Sequence, residues 1–352
     1  MKVNQKRKMI MKIRESVCFD DVLLEPQKSS INSRSAIDVS TSIGAHNFRL
    51  PIISSPMDTI TESMMALTMA TSGGLGIIHR YNTIQDQAEI VAEMASIYED
   101  LNSSHRSSIS AAIGASSDFM ERAATLYGAG ARILCIDVAH GHHSLVERAL
   151  KTLRDSYGDK ITLIAGNVAT AEGFHDLSQW GADAIRVGIG GGSICSTRIQ
   201  TGHGVPTLQS VLDCRTVDSD AKIIADGGIK NAGDVVKALA AGADFAMLGS
   251  MLAGTRETPG QIINNQYKVY RGMASPEAQI AWKGEARSLE GVSTTVSLKG
   301  DVDDVLNKIS KNIRSGLSYT GALNLSEFRA KARFIKQSPS ALMESNTHIL
   351  SR

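Results

Sequence analysis

The sequence lacks the features that would assign it to a specialised class of protein. Among 352 residues there are four cysteines and no Cys-x-x-Cys pair, so neither a zinc site nor a disulfide framework is predicted. The 37 basic and 36 acidic residues leave a formal net charge of +1, which gives no electrostatic reason to expect binding to nucleic acid or to an anionic membrane. No apolar run approaches the roughly 18 residues of a membrane-spanning helix. We expect a cytoplasmic protein with neither nucleic acid nor membrane as partner.

The domain organisation follows from length and from the two chain ends. Residues 1–14 are basic but lack the apolar segment and the small-residue cleavage site of a signal peptide, so we interpret them as a solvated tail. A length of 352 residues would favour two domains at about 150 residues each, but α/β barrels often exceed that size as one domain. We predict a single catalytic domain over residues 15–336 and a C-terminal tail over 337–352.

Short apolar runs alternate with amphipathic stretches along the chain. The runs span residues 50–55, 74–79, 109–114, 132–137, 161–166, 184–189, 222–227 and 244–249. Most are continuous apolar runs, as expected for parallel strands that are covered on both faces. Helical patterns lie between them, for example over residues 84–99 and 144–157. Eight strand–helix units predict an α/β fold of the (β/α)₈ TIM barrel type, with a doubly wound sheet as the weaker alternative.

Polar and glycine residues follow nearly every predicted strand, where a barrel carries its site. The longest of these loops follows the sixth strand and reads GIGGGSICST (188–197). A glycine-dense run indicates close approach to a phosphate, an ion or another chain segment, because glycine otherwise costs conformational entropy. Cys195 lies in this loop, and a thiol becomes a strong nucleophile when nearby amides lower its pKa. Cys195 is therefore a candidate nucleophile, with inert packing as the alternative.

A phosphate site is predicted where the last two strands end. Barrels often bind phosphate at these two loops, next to a helix N-terminus, and backbone N–H groups can hold a dianion without a net-basic protein. The candidate residues are Ser193, Gly227, Gly228, Gly249, Ser250 and Tyr270. Asp226 is a carboxylate beside that cradle, and a ribose diol is a natural partner for its two acceptor oxygens.

Two other groups of residues carry weaker signals. His140, His142 and His143 look like a metal cluster, but carboxylate and cysteine partners at ligand spacing are missing. Trp180 and Trp282 lie in a predicted helix and in the segment after the eighth strand, away from strand ends, so a packing role is predicted for both. Residues 271–300 around Trp282 are predicted to form a short C-terminal lid, since closing a site excludes water.

Several motifs together resemble one known family. They are FDDVLLEP (19–26), SSPMDT (54–59), GNVAT (166–170), GIGGGSICSTR (188–198), IADGGI (224–229), GSMLAGT (249–255), YRGM (270–273) and EG (290–291). From about residue 15 to residue 345 the chain resembles the IMP dehydrogenase and GMP reductase family. The resemblance implies a homotetrameric (β/α)₈ barrel that binds a purine mononucleotide and a nicotinamide cofactor, with Cys195 bonding to C2 of the purine.

The same resemblance implies a role for each matching residue. Thr197 and Glu290 would handle the proton of a departing amine, and Asp137 and Asn167 would flank the nicotinamide and the purine C2. The nucleotide would contact Ser55, Met57, Asp226, Gly272, Met273 and Ala274, with its phosphate on the cradle residues above. Backbone carbonyls of Gly190, Gly192 and Cys195 would hold a monovalent cation, expected to be K⁺. Arg80 is suggested by its charge alone as a partner of the cofactor.

Two features favour the reductase branch of this family. The sequence leaves no room after the second predicted strand for the regulatory repeat module that dehydrogenases usually carry. Between Met273 and Glu290 it has no tyrosine and one arginine, Arg287, whereas the dehydrogenase uses an Arg-Tyr pair to activate water. We therefore predict NADPH-dependent reduction of GMP to IMP and ammonia.

Other features depart from that branch, and three alternatives stay open. Gly191 stands where the family usually has proline, the histidines after Ala139 replace the reductase's usual Asn-Gly-Tyr, and SALMESNTHIL (340–350) resembles the dehydrogenase. The alternatives are an NAD-dependent IMP dehydrogenase without the module, a non-catalytic purine nucleotide binder, and a flavin barrel that uses the same phosphate corner.

Overall fold

The fold is described from a computed structural model that covers residues 13–101, 105, 108–116, 118–286 and 290–345. Three short strands come first: β1 (Val22–Leu24), β2 (Thr41–Ile43) and β3 (His46–Phe48). Single turns of 3₁₀ helix lie at Phe19–Asp21, Arg34–Ala36 and Gly158–Lys160. Within the described ranges, no helix combines the length and the apolar character needed to cross a membrane.

In this part of the chain, eight parallel strands close into a barrel. They are β4 (Ile52–Ser54), β5 (Leu75–Ile78), β6 (Ser110–Ile113), β7 (Ile133–Asp137), β8 (Thr162–Val168), β9 (Ala184–Val187), β10 (Lys222–Asp226) and β11 (Phe245–Leu248). Each pairs with the next along the chain, and β11 closes the ring by pairing with β4. All eight lie within the apolar runs of the sequence or extend them by at most two residues, so the (β/α)₈ prediction is confirmed.

Helices cover the outside of the barrel, and several begin where a polar side chain caps the first turn. They are α1 (Ser63–Thr71), α2 (Ile84–Asp100), α3 (Phe119–Ala129), α4 (Ser144–Tyr157), α5 (Ala171–Gln179), α7 (Thr207–Cys214) and α8 (Ala232–Ala241), while the short helix α6 (Thr197–Thr201) lies in the loop after β9. Thr83, Thr170 and Asn231 each accept a hydrogen bond from the third residue of the helix that follows. Such caps satisfy backbone N–H groups that a helix start leaves unpaired, so each βα loop turns sharply into its helix.

The apolar core has two layers, one inside the barrel and one between strands and helices. The β2–β3 hairpin contributes Ile43 and Phe48 to the inner layer, where the Phe48 ring lies 5.5 Å from that of Phe245 in an edge-to-face arrangement. Aromatic pairs of this geometry stabilise a core beyond the area they bury. The interior is therefore filled with side chains, and the opposite end of the barrel remains for a site.

After the barrel strands the chain forms an excursion and then returns to the helical layer. The excursion contains β12 (Tyr267–Arg271), α9 (Pro276–Lys283) and β13 (Ser293–Ser297), and β12 pairs antiparallel with β13. It is followed by α10 (Val302–Tyr319), α11 (Leu325–Lys331), β14 (Phe334–Lys336) and α12 (Pro339–Glu344). β14 pairs antiparallel with β1. The segment predicted as a C-terminal tail thus begins with a short helix beside the N-terminal strand.

Candidate active site

A cavity of about 390 Å³ lies at the carboxyl ends of the barrel strands. Its wall contains every residue that the sequence singled out for catalysis, nucleotide, cofactor or cation. These are Ser55, Met57, Arg80, Asp137, Asn167, Gly190, Gly192, Ser193, Cys195, Thr197, Asp226, Gly227, Gly228, Gly249, Ser250, Tyr270, Gly272, Met273, Ala274 and Glu290. Parallel strands end at one face of a barrel, so residues far apart in sequence meet there. Their individual roles remain predictions.

Cys195 lies near the end of the glycine-rich loop, where the backbone pairs with the lid. It forms an antiparallel bridge with Gly291, and the backbone N–H of Ser196 donates to the carbonyl of Glu290 at 3.1 Å. The Cys195 thiol lies 3.1 Å from the Thr197 hydroxyl oxygen, to which it can donate. The backbone pairing brings Glu290, Thr197 and the sulfur to one wall of the cavity. A nucleophile with a hydroxyl and a carboxyl group nearby is an arrangement suited to covalent catalysis with proton transfer.

The other three cysteines lie in environments that favour the protonated thiol. Burial raises the pKa of Cys135, inside the barrel, to about 12, and it does the same for Cys214 on α7. Burial and the neighbouring Asp21 raise the pKa of Cys18. The thiolate is the reactive form, so these three thiols are disfavoured as nucleophiles.

We expect iodoacetamide to alkylate Cys195 of the native protein first, because its side chain faces an open cavity. Peptide mass spectrometry over a time course measures the order of labelling. The resemblance to the IMP dehydrogenase and GMP reductase family implies that a saturating purine mononucleotide slows the reaction at Cys195 and leaves the labelling of Cys18 unchanged. Faster labelling of Cys135 or Cys214 in the folded protein contradicts the prediction.

The predicted phosphate cradle is compact and built largely from glycine backbone. Gly227 and Gly228 have φ angles of +88° and +76°, a region that side chains rarely adopt. A Cβ on Gly249 would lie 3.2 Å from the Tyr270 hydroxyl, which is itself 3.4 Å from the Ser193 hydroxyl. Burial raises the pKa of Tyr270, so its phenol stays protonated and can donate a hydrogen bond. The predicted phosphate cradle thus combines a small oxygen-lined space with hydroxyl donors.

Gly191, which stands in place of the family's proline, packs tightly against α7. A Cβ at this position would lie 2.6 Å from the Thr207 hydroxyl oxygen and 3.3 Å from the carbonyl carbon of Gly227. The first distance is shorter than real contacts allow, so a side chain at position 191 would force the Thr207 hydroxyl or the loop to shift. The Cys195 loop is therefore held by close packing against α7.

We expect Gly191→Ala to destabilise the protein by about 1–3 kcal/mol, the usual cost of overpacking, and to lower turnover because the Cys195 loop must shift. Urea unfolding and steady-state kinetics measure the two effects. The double variant with Thr207→Ala removes the colliding oxygen and recovers most of both losses, while Thr207→Ala alone changes little. An alanine at 191 with wild-type stability would contradict this packing argument.

Arg186 is the central charged residue that the sequence analysis missed. It lies on β9, 7% exposed, and its guanidinium pairs with Asp137 at the end of β7 and with Asp226, 2.9 Å away, at the end of β10. Burial acts to lower the pKa of Arg186, but the two carboxylates more than offset it, and the pKa lies well above its usual value. Gly166 on β8 makes room, because a Cβ there would lie 2.6 Å from that of Arg186.

Arg186 holds the two carboxylates that line the cavity, Asp137 and Asp226, in place. Oδ2 of Asp226 accepts hydrogen bonds from Arg186 and, at 2.7 Å, from the side-chain nitrogen of Asn167. Its Oδ1 is therefore the oxygen left to face a ligand, in place of the two oxygens expected from the sequence. Asn167 also donates to the carbonyl of Gly188 at 2.8 Å, which leaves its amide oxygen for the cavity. The sequence did contain a signal for this ion pair, because an arginine within a buried apolar strand needs an acidic or hydrogen-bonding partner.

Tyr81, which lines the cavity, belongs to an aromatic pair. Tyr81 stacks on Trp282 of α9 with ring centroids 4.2 Å apart, and the Arg80 guanidinium lies 5.6 Å from each ring. Arg80 also donates to the carbonyl of Asp137 at 3.1 Å, so its head group turns inward. Trp282 has the packing role that the sequence predicted. Its stacking partner, Tyr81, also lines the cavity, and the stack fastens α9 beside that cavity.

The histidines after β7 do not form a metal centre. In the described residues, no three His, Cys, Asp or Glu side chains are grouped so that they could hold a metal ion. His142 instead lies 2.9 Å from a carboxylate oxygen of Asp176 on α5. The cluster is a polar rim beside the cavity.

Comparison with known proteins agrees with the geometry. A family model described as "IMP dehydrogenase / GMP reductase domain" matches residues 16–348. An inosine-5′-monophosphate dehydrogenase of Nitrosopumilus maritimus is 34% identical, covering 96% of this chain and 99% of the relative. A GMP reductase of Leishmania major is 32% identical, with coverage of 96% and 98%.

A solved structure is similar along nearly the whole chain. It is a cysteine-to-alanine variant of GMP reductase from Trypanosoma brucei in complex with guanosine 5′-monophosphate. The two chains share 29% sequence identity with a TM-score of 0.87, over 96% of this chain and 98% of the other. The sequence match, the barrel and the residues around its cavity lead to one conclusion: this chain belongs to the IMP dehydrogenase / GMP reductase family.

Proposed function

We propose that the protein is a GMP reductase, which converts GMP and NADPH to IMP, ammonia and NADP⁺. Members of this family are oxidoreductases that use a nicotinamide cofactor, and its two branches differ in what happens at purine C2. The dehydrogenase must add water at C2, whereas the reductase must release an amine from it. The choice between them therefore depends on which proton-transfer groups surround Cys195.

The composition of the lid carries the proposal. The segment between Met273 and Glu290 has no tyrosine, so it cannot supply the Arg-Tyr pair expected of the dehydrogenase. Its helix α9 is instead fastened to the barrel by the stacking of Trp282 on Tyr81. Arg287, the one arginine that could activate water, lies outside the described residues. A site with a general acid for an amine and no evident base for water suits deamination.

The residues of this chain can replace the 2-amino group of GMP at C2 as follows. The sulfur of Cys195 bonds to C2 of GMP, and the electron pair of the C2–N3 double bond moves to N3, which takes a proton. The Thr197–Glu290 pair then protonates the 2-amino group, which leaves as ammonia and breaks its bond to C2. The sulfur remains bonded to C2 until that carbon has been reduced. It then departs as thiolate while the N3 electron pair re-forms the C2–N3 double bond and N3 releases its proton, which gives IMP. The phosphate cradle, which includes Ser193 and Tyr270, holds the phosphate throughout.

NADPH would supply the hydride to C2 when bound. The cavity residues fit a flat amide-bearing ring, because the free amide oxygen of Asn167 can accept from a carboxamide and Met57, Val138 and Ala139 offer apolar surface. Asp137 is held in place by Arg186 and Arg80, so it can orient the ring without itself moving. These residues position the ring and exclude water from C2.

The same proposal includes a monovalent cation and a homotetramer. Backbone carbonyls of Gly190, Gly192 and Cys195 would hold K⁺, and the carbonyl of Gly192 fits this role because an oxygen that accepts from the N–H of Cys195 has a second lone pair. An ion there would order the nucleophile's loop. We further propose a cytoplasmic location.

One spectrophotometric assay tests the function. Purified protein with GMP and NADPH should lose absorbance at the wavelength of the reduced cofactor and release one ammonia per NADPH. A second candidate, IMP dehydrogenase, is favoured by the identity of 34% to a protein of that name. Reduction of NAD⁺ with IMP, together with no NADPH oxidation on GMP, overturns the proposal in favour of that candidate.

A further inference from the structure

The charged side chains that line the cavity do not balance the charge of a nucleotide. They are two arginines and three acidic residues, namely Arg80, Arg186, Asp137, Asp226 and Glu290. Each arginine is already paired, Arg80 with Asp137 at 3.6 Å and Arg186 with Asp226 at 2.9 Å. A phosphate monoester carries between one and two negative charges near neutral pH. Full positive charge that favours the phosphate therefore has to come from residues behind the cavity wall.

Lys299 lies directly behind the phosphate cradle. It follows β13, and its ammonium group donates to the carbonyl of Ser250 at 2.8 Å and lies 3.4 Å from that of Met251. Its backbone N–H donates to the carbonyl of Gly254, also at 2.8 Å. Lys299 is thus held against the turn that follows β11. The first residues of that turn, Gly249 and Ser250, line the cavity.

A second ammonium group is held against the same segment of chain. Lys268 on β12 is 3% exposed, and it donates to the carbonyls of Arg256, at 2.9 Å, and of Thr258. Lys268 lies two residues before Tyr270 of the phosphate cradle, so both side chains point to the buried face of the strand. The segment from Gly249 to Thr258 therefore has two lysines on it.

Neither ammonium group has a counter-ion of its own. In the part of the chain that the structure describes, Lys268 and Lys299 form no ion pair, and both donate to backbone carbonyls. Burial lowers the pKa of both lysines, and the charge of Glu257 offsets this effect only in part at Lys268. An ammonium group that is partly desolvated without a carboxylate is stabilised by an anion nearby.

The peptide groups between Lys299 and the cavity have donors available. The backbone N–H groups of Ser250 and Met251 make no hydrogen bond within the described ranges. A trans peptide directs its C=O and N–H to opposite sides, so the ammonium on the Ser250 carbonyl lies behind the N–H of Met251. If a phosphate oxygen accepts from the N–H of Ser250, bond lengths place it at most about 10 Å from the Lys299 nitrogen.

We propose that Lys299, with Lys268 as a second charge, makes the site select a 5′-phosphorylated nucleoside over the free nucleoside without touching the phosphate. The inference rests on the proposed function, in which the phosphate cradle holds the nucleotide. Attraction between an ammonium group and a dianion across about 10 Å corresponds to about a fourfold change in affinity at the dielectric constant of water. Salt weakens this attraction, whereas direct hydrogen bonds to the phosphate are less sensitive to it.

The test compares a nucleotide with its nucleoside. Isothermal titration calorimetry measures the affinities of IMP and of inosine for the full chain and for Lys299→Met, at low and at high ionic strength. We expect the variant to lose about fourfold of its affinity for IMP at low ionic strength, with a smaller loss in high salt and inosine unchanged. Lys299→Arg keeps the charge and keeps the wild-type preference.

Two further variants complete the comparison. Lys308→Met removes the same charge from an exposed position on α10 outside the cavity, so it is the matched control and changes neither affinity. Lys268→Met, with its fold checked by circular dichroism, is expected to weaken IMP alone. Lys268 is buried and Lys299 is exposed, so Lys299→Met decides the inference even if Lys268→Met does not fold.

Three results overturn the inference. Lys299→Met could bind IMP as tightly as the wild type at low ionic strength, or weaken IMP and inosine equally, as expected of a displaced loop. Lys299→Arg could lose as much affinity as Lys299→Met. IMP is the proposed product and also the substrate of the dehydrogenase alternative, and the titration contains no cofactor. A protein that shows the charge effect but does not consume NADPH with GMP would therefore retain this inference and lose the proposed function.

Discussion

Replacing Cys195 with alanine is expected to lower kcat for NADPH oxidation on GMP by roughly four orders of magnitude or more, as removal of a catalytic nucleophile does in other enzymes. In the proposed mechanism the sulfur is the atom that bonds to C2, and the described cavity offers the hydroxyl of Thr197 next to it. The backbone pairing of residues 194–196 with 290–292 does not involve the thiol, so the loop keeps its shape. Stopped-flow absorbance of the reduced cofactor measures the rate.

The same variant distinguishes catalysis from nucleotide binding. We expect the Kd of Cys195→Ala for GMP to lie within a few-fold of the wild-type value, because the predicted phosphate cradle is formed by other residues. Cys18→Ala, which alters a partly buried thiol that is not among the cavity residues, is the matched control and keeps full activity. If Cys195→Ala turns over GMP at a rate within tenfold of the wild type, the covalent mechanism is wrong.

Replacing Arg186 with methionine is expected to destabilise the protein by about 3–5 kcal/mol, the typical cost of removing one partner from a buried ion pair. The change leaves Asp137 and Asp226 close together with no cation between them, and both side chains are less than one-fifth exposed. We expect a fall in kcat as well, since both carboxylates line the cavity. Urea unfolding followed by circular dichroism gives the first quantity, and the coupled assay gives the second.

Two further variants make the Arg186 result interpretable. Arg186→Lys keeps the charge but cannot bond both carboxylates with one planar group, so we expect a partial recovery of stability. Arg154→Met removes another arginine–aspartate pair, with Asp183 at 2.8 Å, that is more exposed and lies outside the cavity. It should cost less stability and leave kcat unchanged. Wild-type stability and kcat in Arg186→Met would show that the bridge is dispensable.

Local sequence patterns were sufficient to predict the barrel. A strand covered on both faces requires a short continuous apolar run, and a βα loop requires glycine or a capping residue, so both signals are read from neighbouring residues. The same reasoning grouped the strand ends, because the carboxyl ends of parallel strands share one face. That topological rule placed Ser55, Asn167 and Gly249 on one cavity although they are more than 80 residues apart along the chain.

The interactions that the sequence did not reveal are all between distant side chains. Arg186 pairs across 49 residues with Asp137 and across 40 with Asp226. Trp282 of the lid stacks on Tyr81, which follows β5, and the Thr207 hydroxyl lies against position 191. No periodicity encodes such partners, because each depends on the radius of the barrel and on how loops fold back over it.

The sequence by itself determined the strand order, the face that carries the site and the residues that surround it, since these follow from local hydrophobicity and chain connectivity. The tertiary structure decided which oxygen of Asp226 is free, how Cys195 is held against Glu290, and that Arg186 lies between two carboxylates. Those outcomes depend on distances of a few ångströms between segments that are remote in the chain, and only the packed structure fixes such distances.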